Sequence, residues 1–480
     1  MSEDWSEQKV VVVGAARQGL ALARYLVQHG ARVVLNDRLS EEQLLPARHA
    51  LADLEVEWVL GGHPLSLLDD ADMICVSGGV PLNMPLIAEA RARGIRLSND
   101  SQIFMEAVPC IVVGITGSAG KTTTTTLVGR MAQYATAHTQ LERHYHRAWM
   151  GGNIGSPLIA DVDKMQSDDL VVMEVSSFQL ELMSLSPQVA AVLNLTPNHL
   201  DRHGTMEAYR KAKARVLQFQ QPGDRAVLGR DDAGAWSLAG MVKGQTLSFG
   251  FSPLASDQAG TFFWKDFLYL RPPAKADISG TDLHPEPLAT DVRLLSRQDV
   301  ALRGEHNLLN VMAACTIAAA AGLPLQAMKA GVENFSGVAH RLEFVRSWGG
   351  ADWYNDSIAT APERAMAAIR SFDEPLVLLA GGRDKNLPWG DFARLAKHRV
   401  DQLIVFGEAA ELISEAARAA GFNPLKIVHC TGLHEAVQAA AQIVKPGYVV
   451  LLSPGGTSFD KFNDFEERGK CFAQWVKELP

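Results

Sequence analysis

A glycine-rich segment, Gly114–Thr123, is the part of the sequence whose chemistry is most readily interpreted. It follows the apolar run Cys110–Val113 and precedes a helical pattern, which is the setting of a phosphate-binding loop. In such a loop backbone N–H groups and the start of a helix face phosphate oxygens. Lys121 can reach the outer phosphates, and the Thr122 hydroxyl can ligate Mg²⁺. Ile115 stands where the general pattern has its first glycine, so the match is close but not complete.

Two further polar residues end predicted strands of the same unit. Glu174 closes the apolar run Leu170–Glu174, and His199 follows the run Val189–Leu195. The carboxyl ends of parallel strands meet along one crevice, so both side chains are expected near the phosphates. A Glu and a His in that place could hold Mg²⁺, although a lone histidine is more often structural.

The N-terminal turn Gly14–Gly19 resembles a weaker nucleotide-binding pattern, with Asp37 at the end of the next predicted strand. Ala16 occupies the middle glycine position, which disfavours an NAD-dependent hydride-transfer enzyme. A turn that serves only packing remains an alternative here. Lys213 lies in the basic run Tyr209–Arg215, for which a solvated helix face is the simplest interpretation.

Alternating strand and helix patterns position these residues, and they predict an α/β fold with parallel sheets. We expect three domains: a Rossmann-like domain at 1–109, a P-loop domain at 110–338 and a second Rossmann-like domain at 339–480. Within the P-loop domain, residues 252–293 are expected to form a small antiparallel element followed by a long loop.

Composition excludes several classes of protein. The 480 residues are 47% hydrophobic and 21% charged, with 45 Lys and Arg against 54 Asp and Glu. A net charge of -9 disfavours nucleic-acid binding. Five widely spaced cysteines fit a reducing compartment, the polar N-terminus does not resemble a signal peptide, and no apolar run is long enough to span a bilayer. We therefore expect a cytoplasmic protein without nucleic-acid or membrane partners.

Taken together, the motifs resemble the Mur ligases in order and spacing over nearly the whole chain. The resemblance rests on six segments: Thr116–Thr123, Gly151–Gly155, Glu174–Gln179, Asn198–Arg202, Gly304–Asn310 and His340-Arg341. It is closest to the MurD-type branch, which adds glutamate to UDP-N-acetylmuramoyl-L-alanine. The C-terminal segments Asn355–Pro362 and Leu452–Phe462 are similar to blocks of that branch.

The resemblance implies an ATP-driven amide ligase that works through an acyl phosphate, with two Mg²⁺ ions, and a monomeric protein. It implies catalytic roles for Lys121, Asn153, His199 and Lys213, the last as a carbamylated lysine. The implied metal ligands are Thr122, Glu174, His199 and Lys213. The implied ATP contacts are Gly117, Ser118, Ala119, Gly120, Lys121, Thr122, Thr123, Asn307, Asn310, Arg341 and Asp356.

The substrate sites follow from the same resemblance. The implied contacts with the UDP substrate are Gly14, Arg17, Gln18, Gly19, Asp37, Ser77 and Gly79. The implied contacts with glutamate are Thr360, Lys385, Ser458 and Phe465. Near the glutamate contacts, Ile358 and Ala361 replace a usual Lys and Asn, and Gly455-Gly456-Thr457 replaces a usual Ala-Cys-Ala.

Because of these replacements we expect L-glutamate as the substrate, as in an L-glutamate-adding subgroup. The main competing expectation is the D-glutamate-adding activity. The motifs would also fit a different amide ligase of the Mur and folylpolyglutamate superfamily, or a P-loop regulatory or transport ATPase.

Overall fold

A computed structural model of the chain describes residues 5–138, 145–272, 283–284, 287–385 and 387–480. These residues separate into two compact units, Met1–Ala301 with Glu305–Glu333, and Leu302–Gly304 with Asn334–Pro480. Each unit is described on its own below.

The first unit begins with a five-stranded parallel sheet in the order β3-β2-β1-β4-β5. Its strands are β1 (Lys9–Val13), β2 (Arg32–Asp37), β3 (Val56–Leu60), β4 (Met73–Val76) and β5 (Arg96–Ser98), and its helices are α1 (Arg17–Gln28), α2 (Leu45–Ala50), α3 (Pro85–Ala92) and α4 (Asp100–Ala107). The four consecutive valines of β1 are fully buried, as expected for a central strand covered by helices on both faces.

The same unit contains a nine-stranded sheet in the order β16-β14-β13-β11-β10-β9-β6-β8-β7. Its strands are β6 (Ile111–Thr116), β7 (Ala148–Gly152), β8 (Leu170–Glu174), β9 (Val189–Val192), β10 (Arg225–Gly229), β11 (Gln245–Phe249), β13 (Ala259–Trp264), β14 (Phe267–Arg271) and β16 (Val292–Ser296), and a separate pair is formed by β12 (Leu254–Ala255) and β15 (Leu283–His284). The helices are α5 (Lys121–Ala137), α6 (Ser177–Leu180), α7 (Leu200–His203), α8 (Met206–Gln218), α9 (Ala233–Trp236), α10 (Glu305–Ala320) and α11 (Leu325–Val332).

The second unit has a six-stranded sheet in the order β17-β18-β22-β19-β20-β21, parallel except for β17. Its strands are β17 (Glu343–Trp348), β18 (Ala351–Asn355), β19 (Leu376–Gly381), β20 (Val400–Phe406), β21 (Ile427–Cys430) and β22 (Val449–Gly455), and its helices are α12 (Pro362–Ile369), α13 (Gly390–Arg399), α14 (Ala410–Ala419), α15 (Leu433–Ile443) and α16 (Phe465–Glu478). Short 3-10 helices in the two units span Leu65–Leu68, Leu158–Lys164, Ala239–Met241, Arg297–Asp299 and Pro424–Lys426.

The predicted α/β class with parallel sheets is confirmed. The first two sheets share one apolar core, in which Leu26 and Phe104 belong to the same cluster as Leu158 and Val171. This shared core explains why both sheets lie in a single unit, and the three domain boundaries stay a prediction. The antiparallel element is present as β13, β14 and β16, while residues 273–282 and 285–286 of the expected loop lie outside the described residues.

Candidate active site

The glycine-rich segment forms a tight loop between β6 and α5. Gly120 adopts a φ of 81°, which favours glycine, and a Cβ there would lie 2.2 Å from Asn310 Oδ1. Asn310 in turn donates to Asn307 Oδ1 at 3.1 Å. Gly120 is the N-cap residue of α5 and has no side chain with which to cap the helix, and Thr122 and Thr123 lie in the first turn of this helix. The two predicted nucleotide contacts on α10 are therefore placed beside the loop.

The segment that follows β9 also forms hydrogen bonds with this loop. Asn194 is hydrogen-bonded twice to Ala119, accepting from its N–H at 2.8 Å and donating to its carbonyl at 3.1 Å. The Ser118 hydroxyl donates to the Thr196 carbonyl at 2.8 Å, and Tyr209 donates to that hydroxyl at 3.1 Å. Sequence reasoning assigned no role to Asn194 or Tyr209, although both lie in segments that it singled out.

Two lysines converge on one carbonyl of the loop. Lys121 Nζ donates to the Gly117 carbonyl oxygen at 2.8 Å and lies 3.4 Å from that of Ser118. Lys213 Nζ, from α8, donates to the same Gly117 oxygen at 3.0 Å and to Thr116 Oγ1 at 3.1 Å. Lys213 is only 1% exposed, so the solvated helix face predicted for its run is wrong at this residue. Tyr209 and Val216, each about one turn away from Lys213 along α8, are buried too. Lys213 therefore lies on the buried face of this helix.

The environment of Lys213 favours its neutral form. Burial, and then the charge of Lys121, lower the pKa of Lys213 well below its usual value, while Glu174 acts in the opposite direction. A neutral lysine amine is a nucleophile, whereas an ammonium is not. The site thus shifts Lys213 toward the neutral form, which can react with an electrophile such as CO₂.

Glu174 at the end of β8 fits a metal ligand. Its carboxylate is 1% exposed, and Oε1 accepts a hydrogen bond from Asn153 Nδ2 at 2.9 Å. The other oxygen, Oε2, is buried without a hydrogen-bond partner among the described residues. A buried carboxylate oxygen left without a partner is costly unless a cation or water completes it, so this donor suits Mg²⁺.

His199 is the N-cap residue of α7 and lies in the left-handed region, with a φ of 52°. Its ring meets the edge of Phe178 with centroids 5.2 Å apart. The preceding residue, Asn198, lies 3.4 Å from the Ser118 carbonyl through its amide nitrogen. The structure therefore brings the His199 segment to the phosphate-binding loop, as the sequence predicts, and its metal role stays a prediction.

The turn after β1 holds the predicted contacts with the UDP substrate. Gly14 has a φ of 106°, and a Cβ at Gly19 would lie 1.9 Å from the Gly14 carbonyl oxygen, so neither position accepts a side chain. Ser77 donates to that carbonyl at 3.2 Å, and Asp37 accepts from the Ala15 N–H at 2.8 Å. Gly14, Gly19, Asp37 and Ser77 therefore lie together at the carboxyl ends of the strands of the first sheet.

Two side chains connect this turn region to the second sheet. Gln18 donates to the Gly152 carbonyl at 3.2 Å, next to Asn153. Arg202 donates to the carbonyls of Gly79 at 3.3 Å and Val80 at 3.1 Å, and its guanidinium stacks over Phe178 at 4.2 Å. Arg17 is exposed at the start of α1. Sequence reasoning assigned no role to Arg202, because its partner carbonyls lie more than a hundred residues away.

In the second unit, Arg341 and Asp356 lie close together. Asp356 is buried, accepts from Ser453 Oγ at 2.8 Å and lies 3.3 Å from the Leu342 nitrogen. Burial raises the pKa of Asp356 to about 7, against the opposing effects of the Ser453 hydrogen bond and the Arg341 charge. The Nε atom of Arg341 is buried without a hydrogen-bond partner among the described residues.

The predicted glutamate contacts belong to the same unit. Lys385 Nζ lies 3.4 Å from Thr360 Oγ1, and Ser458 is 1% exposed. The Phe465 carbonyl accepts from Ser357 Oγ at 2.8 Å. The fully buried Arg468 donates to that hydroxyl, to the Ser357 carbonyl and, at 3.1 Å, to the Gly456 carbonyl. Arg468, which lies on α16 with Phe465, therefore ties this helix to the segments of Ser357 and Gly456.

The glycines at the end of β22 have a packing explanation. Gly455 has a φ of 69°, and a Cβ there would lie 2.7 Å from the Trp389 ring. A Cβ at Gly456 would lie 2.6 Å from the Gly381 carbonyl oxygen. These replacements therefore accommodate Trp389 and the neighbouring backbone, and they give little support to the expectation of L-glutamate.

Three family descriptions match this chain: Mur ligase MurD-like N-terminal domain at residues 8–99, Mur ligase middle domain at 115–318, and Mur ligase glutamate ligase domain at 340–456. Curated relatives named UDP-N-acetylmuramoylalanine--D-glutamate ligase match over almost their whole length. The one from Pelotomaculum thermopropionicum is 40% identical, covering 100% of this chain and 99% of that protein. The one from Symbiobacterium thermophilum is 38% identical, covering 98% of each.

Solved structures support the fold. The UDP-N-acetylmuramate-alanine ligase MurC of Thermotoga maritima superposes with a TM-score of 0.57 at 17% identity, over 98% of this chain and 100% of that one. The MurF ligase of the same organism, solved in complex with ADP, gives a TM-score of 0.53 at 17% identity, over 100% of this chain and 97% of that one.

Among the described residues, none of the helices is both long enough and apolar enough to span a membrane. The relatives' names favour the D-glutamate alternative over the expected L-glutamate.

Proposed function

The chain belongs to the Mur ligase family and is an ATP-dependent ligase of peptidoglycan synthesis, and from this premise we propose its substrates and mechanism. It joins D-glutamate to UDP-N-acetylmuramoyl-L-alanine through an acyl phosphate. The observation that carries this proposal is the meeting of Lys121, Lys213 and the loop carbonyl of Gly117 beside the buried carboxylate of Glu174.

The reaction needs activation because a carboxylate does not react with an amine. A carboxylate oxygen of the UDP substrate attacks the γ-phosphorus of ATP, the bond to ADP breaks, and an acyl phosphate forms. The glutamate amine then attacks the acyl carbon, phosphate leaves, and the nitrogen loses a proton to give the amide.

The residues around the loop would stabilise the first step by charge. Lys121 exchanges its two carbonyl contacts for β- and γ-phosphate oxygens, where it offsets the developing negative charge. The backbone N–H groups at the start of α5, with Thr123, hold the phosphates in place. Asn153, which donates a hydrogen bond to Glu174 Oε1, would orient the reacting carboxylate.

Thr122, Glu174, His199 and a carbamylated Lys213 would hold two Mg²⁺ ions. When bound, such ions neutralise phosphate charge and polarise the phosphorus. The carbamate forms when the neutral Lys213 amine attacks CO₂: a nitrogen–carbon bond forms and one proton is released. The carbamylated side chain would carry an anionic, carboxylate-like group, able to ligate a cation, in place of the buried amine.

The proposed substrate contacts are those that the family resemblance implies. Gly14, Arg17, Gln18, Gly19 and Asp37 would hold the uridine and diphosphate, and Ser77 and Gly79 would belong to the loop that holds the diphosphate. Asn307 and Asn310 would contact the ATP base and ribose, and Arg341 and Asp356 are proposed as further contacts with ATP. Thr360, Lys385, Ser458 and Phe465 would hold glutamate. The boundaries proposed for the three domains are 1–109, 110–338 and 339–480.

L-glutamate is the second candidate because Ile358 and Ala361 depart from the usual MurD-type residues. The relatives' names favour the D isomer, and the packing around Gly455 and Gly456 removes one argument for the L isomer.

Phosphate release from ATP tests the proposed substrates. We expect release only when both UDP-N-acetylmuramoyl-L-alanine and glutamate are present with Mg²⁺. Phosphate release in the absence of both substrates would instead indicate a regulatory or transport ATPase. Release that depends on a different acceptor would indicate another ligase of the family.

A further inference from the structure

Arg364 lies at the start of α12, beside the segment that carries the predicted glutamate contacts. Its Nη1 atom lies 3.4 Å from the Ile358 carbonyl oxygen. The same carbonyl accepts from the Thr360 N–H at 2.8 Å, so the guanidinium lies against the turn that presents Thr360. None of the motifs identified in the sequence includes Arg364.

A second cation, Lys385, lies near this turn. Lys385 Nζ lies 3.4 Å from Thr360 Oγ1, two residues along the chain from the carbonyl that Arg364 contacts. Partial burial, and then the charges of Arg364 and Arg468, lower the pKa of Lys385. The cations are therefore close enough to repel one another, which costs free energy unless an anion lies among them.

The start of α12 adds to this positive potential. Ala361 is its N-cap residue and offers no side-chain hydrogen bond, and Pro362 occupies the first turn. Helix N-termini favour anions, and α12 has eight residues over which the peptide dipoles align.

The nearby acidic groups do not neutralise these cations directly. Partial desolvation, and then the charge of Arg341, lower the pKa of Arg364, while Asp356 and Glu363 act more weakly in the opposite direction. Within the described residues, no carboxylate oxygen comes within 4.0 Å of the side-chain nitrogens of Arg364 or Lys385. Two cations, one hydroxyl and one helix start without a side-chain cap thus lie close together, and no carboxylate among the described residues forms an ion pair with either cation.

We propose that Arg364 binds a carboxylate of the incoming acidic amino acid, together with Lys385 and Thr360. This inference rests on the proposed function and adds a specificity residue to it. A guanidinium presents several N–H donors in one plane, and it can contact the Ile358 carbonyl and still donate to a carboxylate. Ile358 itself supplies no charge here, so Arg364 provides the second cation of the pocket.

The test is the Michaelis constant of each substrate in the variant Arg364→Gln. Loss of one charge-assisted contact should raise the KM for glutamate about ten- to a hundredfold. The KM values for ATP and for the UDP substrate should stay within about twofold. Arg364→Lys should recover part of the loss, because it keeps the charge but not the planar fork. Arg370→Gln, at the other end of the same helix, is the matched control and should behave as the wild type.

Amide analogues identify which carboxylate is bound. Wild type should discriminate strongly against glutamine or against the α-amide of glutamate, and Arg364→Gln should lose that discrimination for one of the two. An unchanged KM for glutamate in a folded Arg364→Gln enzyme would overturn the assignment, and so would a rise confined to the KM for ATP. Failure of the wild type itself to ligate glutamate would instead contradict the proposed function.

Discussion

Lys213 Nζ lies 3.0 Å from the carbonyl oxygen of Gly117, inside the phosphate-binding loop and almost fully shielded from water. A cationic ammonium in that place would sit beside Lys121, and burial alone already disfavours it. This relationship links α8 to the loop and explains how a lysine in a run of basic residues comes to be part of the site.

Replacing Lys213 tests whether its amine has a chemical role. Lys213→Ala should reduce turnover by at least about a hundredfold, and a small carboxylic acid should restore part of it by occupying the vacated space. Lys211→Ala is the matched control, since Lys211 is exposed on the same helix. Full activity in folded Lys213→Ala would remove the amine from the mechanism.

Lys121→Ala should lower turnover by about two to three orders of magnitude, because it removes a point charge from the transferring phosphate. Stopped assays of ligation, together with thermal unfolding, would measure this. The melting temperature should change little, since the hydrogen bonds from Lys121 to the carbonyls of Gly117 and Ser118 lie within its own loop. Lys164→Ala, at an exposed site, supplies the control, and a folded Lys121→Ala enzyme with near-normal rates would refute the loop assignment.

Glu174→Gln should raise the Mg²⁺ concentration needed for half-maximal activity at least about tenfold. The substitution keeps the oxygen that accepts from Asn153 but removes the charge from the atom that has no partner among the described residues. A Mg²⁺ titration of activity in both enzymes measures the shift. Identical titration curves would show that Glu174 does not ligate the metal.

Arg202→Ala should raise the KM for the UDP substrate about tenfold, because the loop of Gly79 and Val80 loses its anchoring donor. The KM for glutamate should hardly move. Arg32→Ala, an exposed arginine of the first sheet, serves as the comparison. Equal rises in all KM values would point to general destabilisation instead.

Much of the fold was predictable from local patterns. The buried strand β8 begins and ends at the residues of the predicted apolar run Leu170–Glu174, because an apolar run bounded by polar residues fixes both its type and its length. Glu174 was identified from its position at a strand end, and its buried Oε2 atom agrees with that interpretation.

Contacts between distant segments were not predictable in the same way. The burial of Lys213 depends on its phase relative to Tyr209 and Val216, and its basic neighbours hide that phase in the sequence. Arg202 and Arg364 bind backbone carbonyls, which any residue can offer, so no side-chain pattern reveals their partners.

Gly455 and Gly456, at the end of β22, show that a sequence pattern can also suggest a functional role where packing is the explanation. The sequence suggests that they reshape a substrate pocket, whereas the structure places Trp389 and the Gly381 carbonyl where their side chains would be. Packing inside the unit thus explains a replacement that the sequence pattern attributes to substrate specificity.

The most direct test of the central claim is the mass of the product formed with each glutamate isomer. The enzyme would be incubated with ATP, Mg²⁺, UDP-N-acetylmuramoyl-L-alanine and either D- or L-glutamate. We predict that a product one glutamyl residue heavier forms with D-glutamate, in step with phosphate release, and that L-glutamate gives little. Product formed chiefly from L-glutamate would contradict the proposed isomer, and no glutamyl product with either isomer would contradict the proposed ligase activity itself.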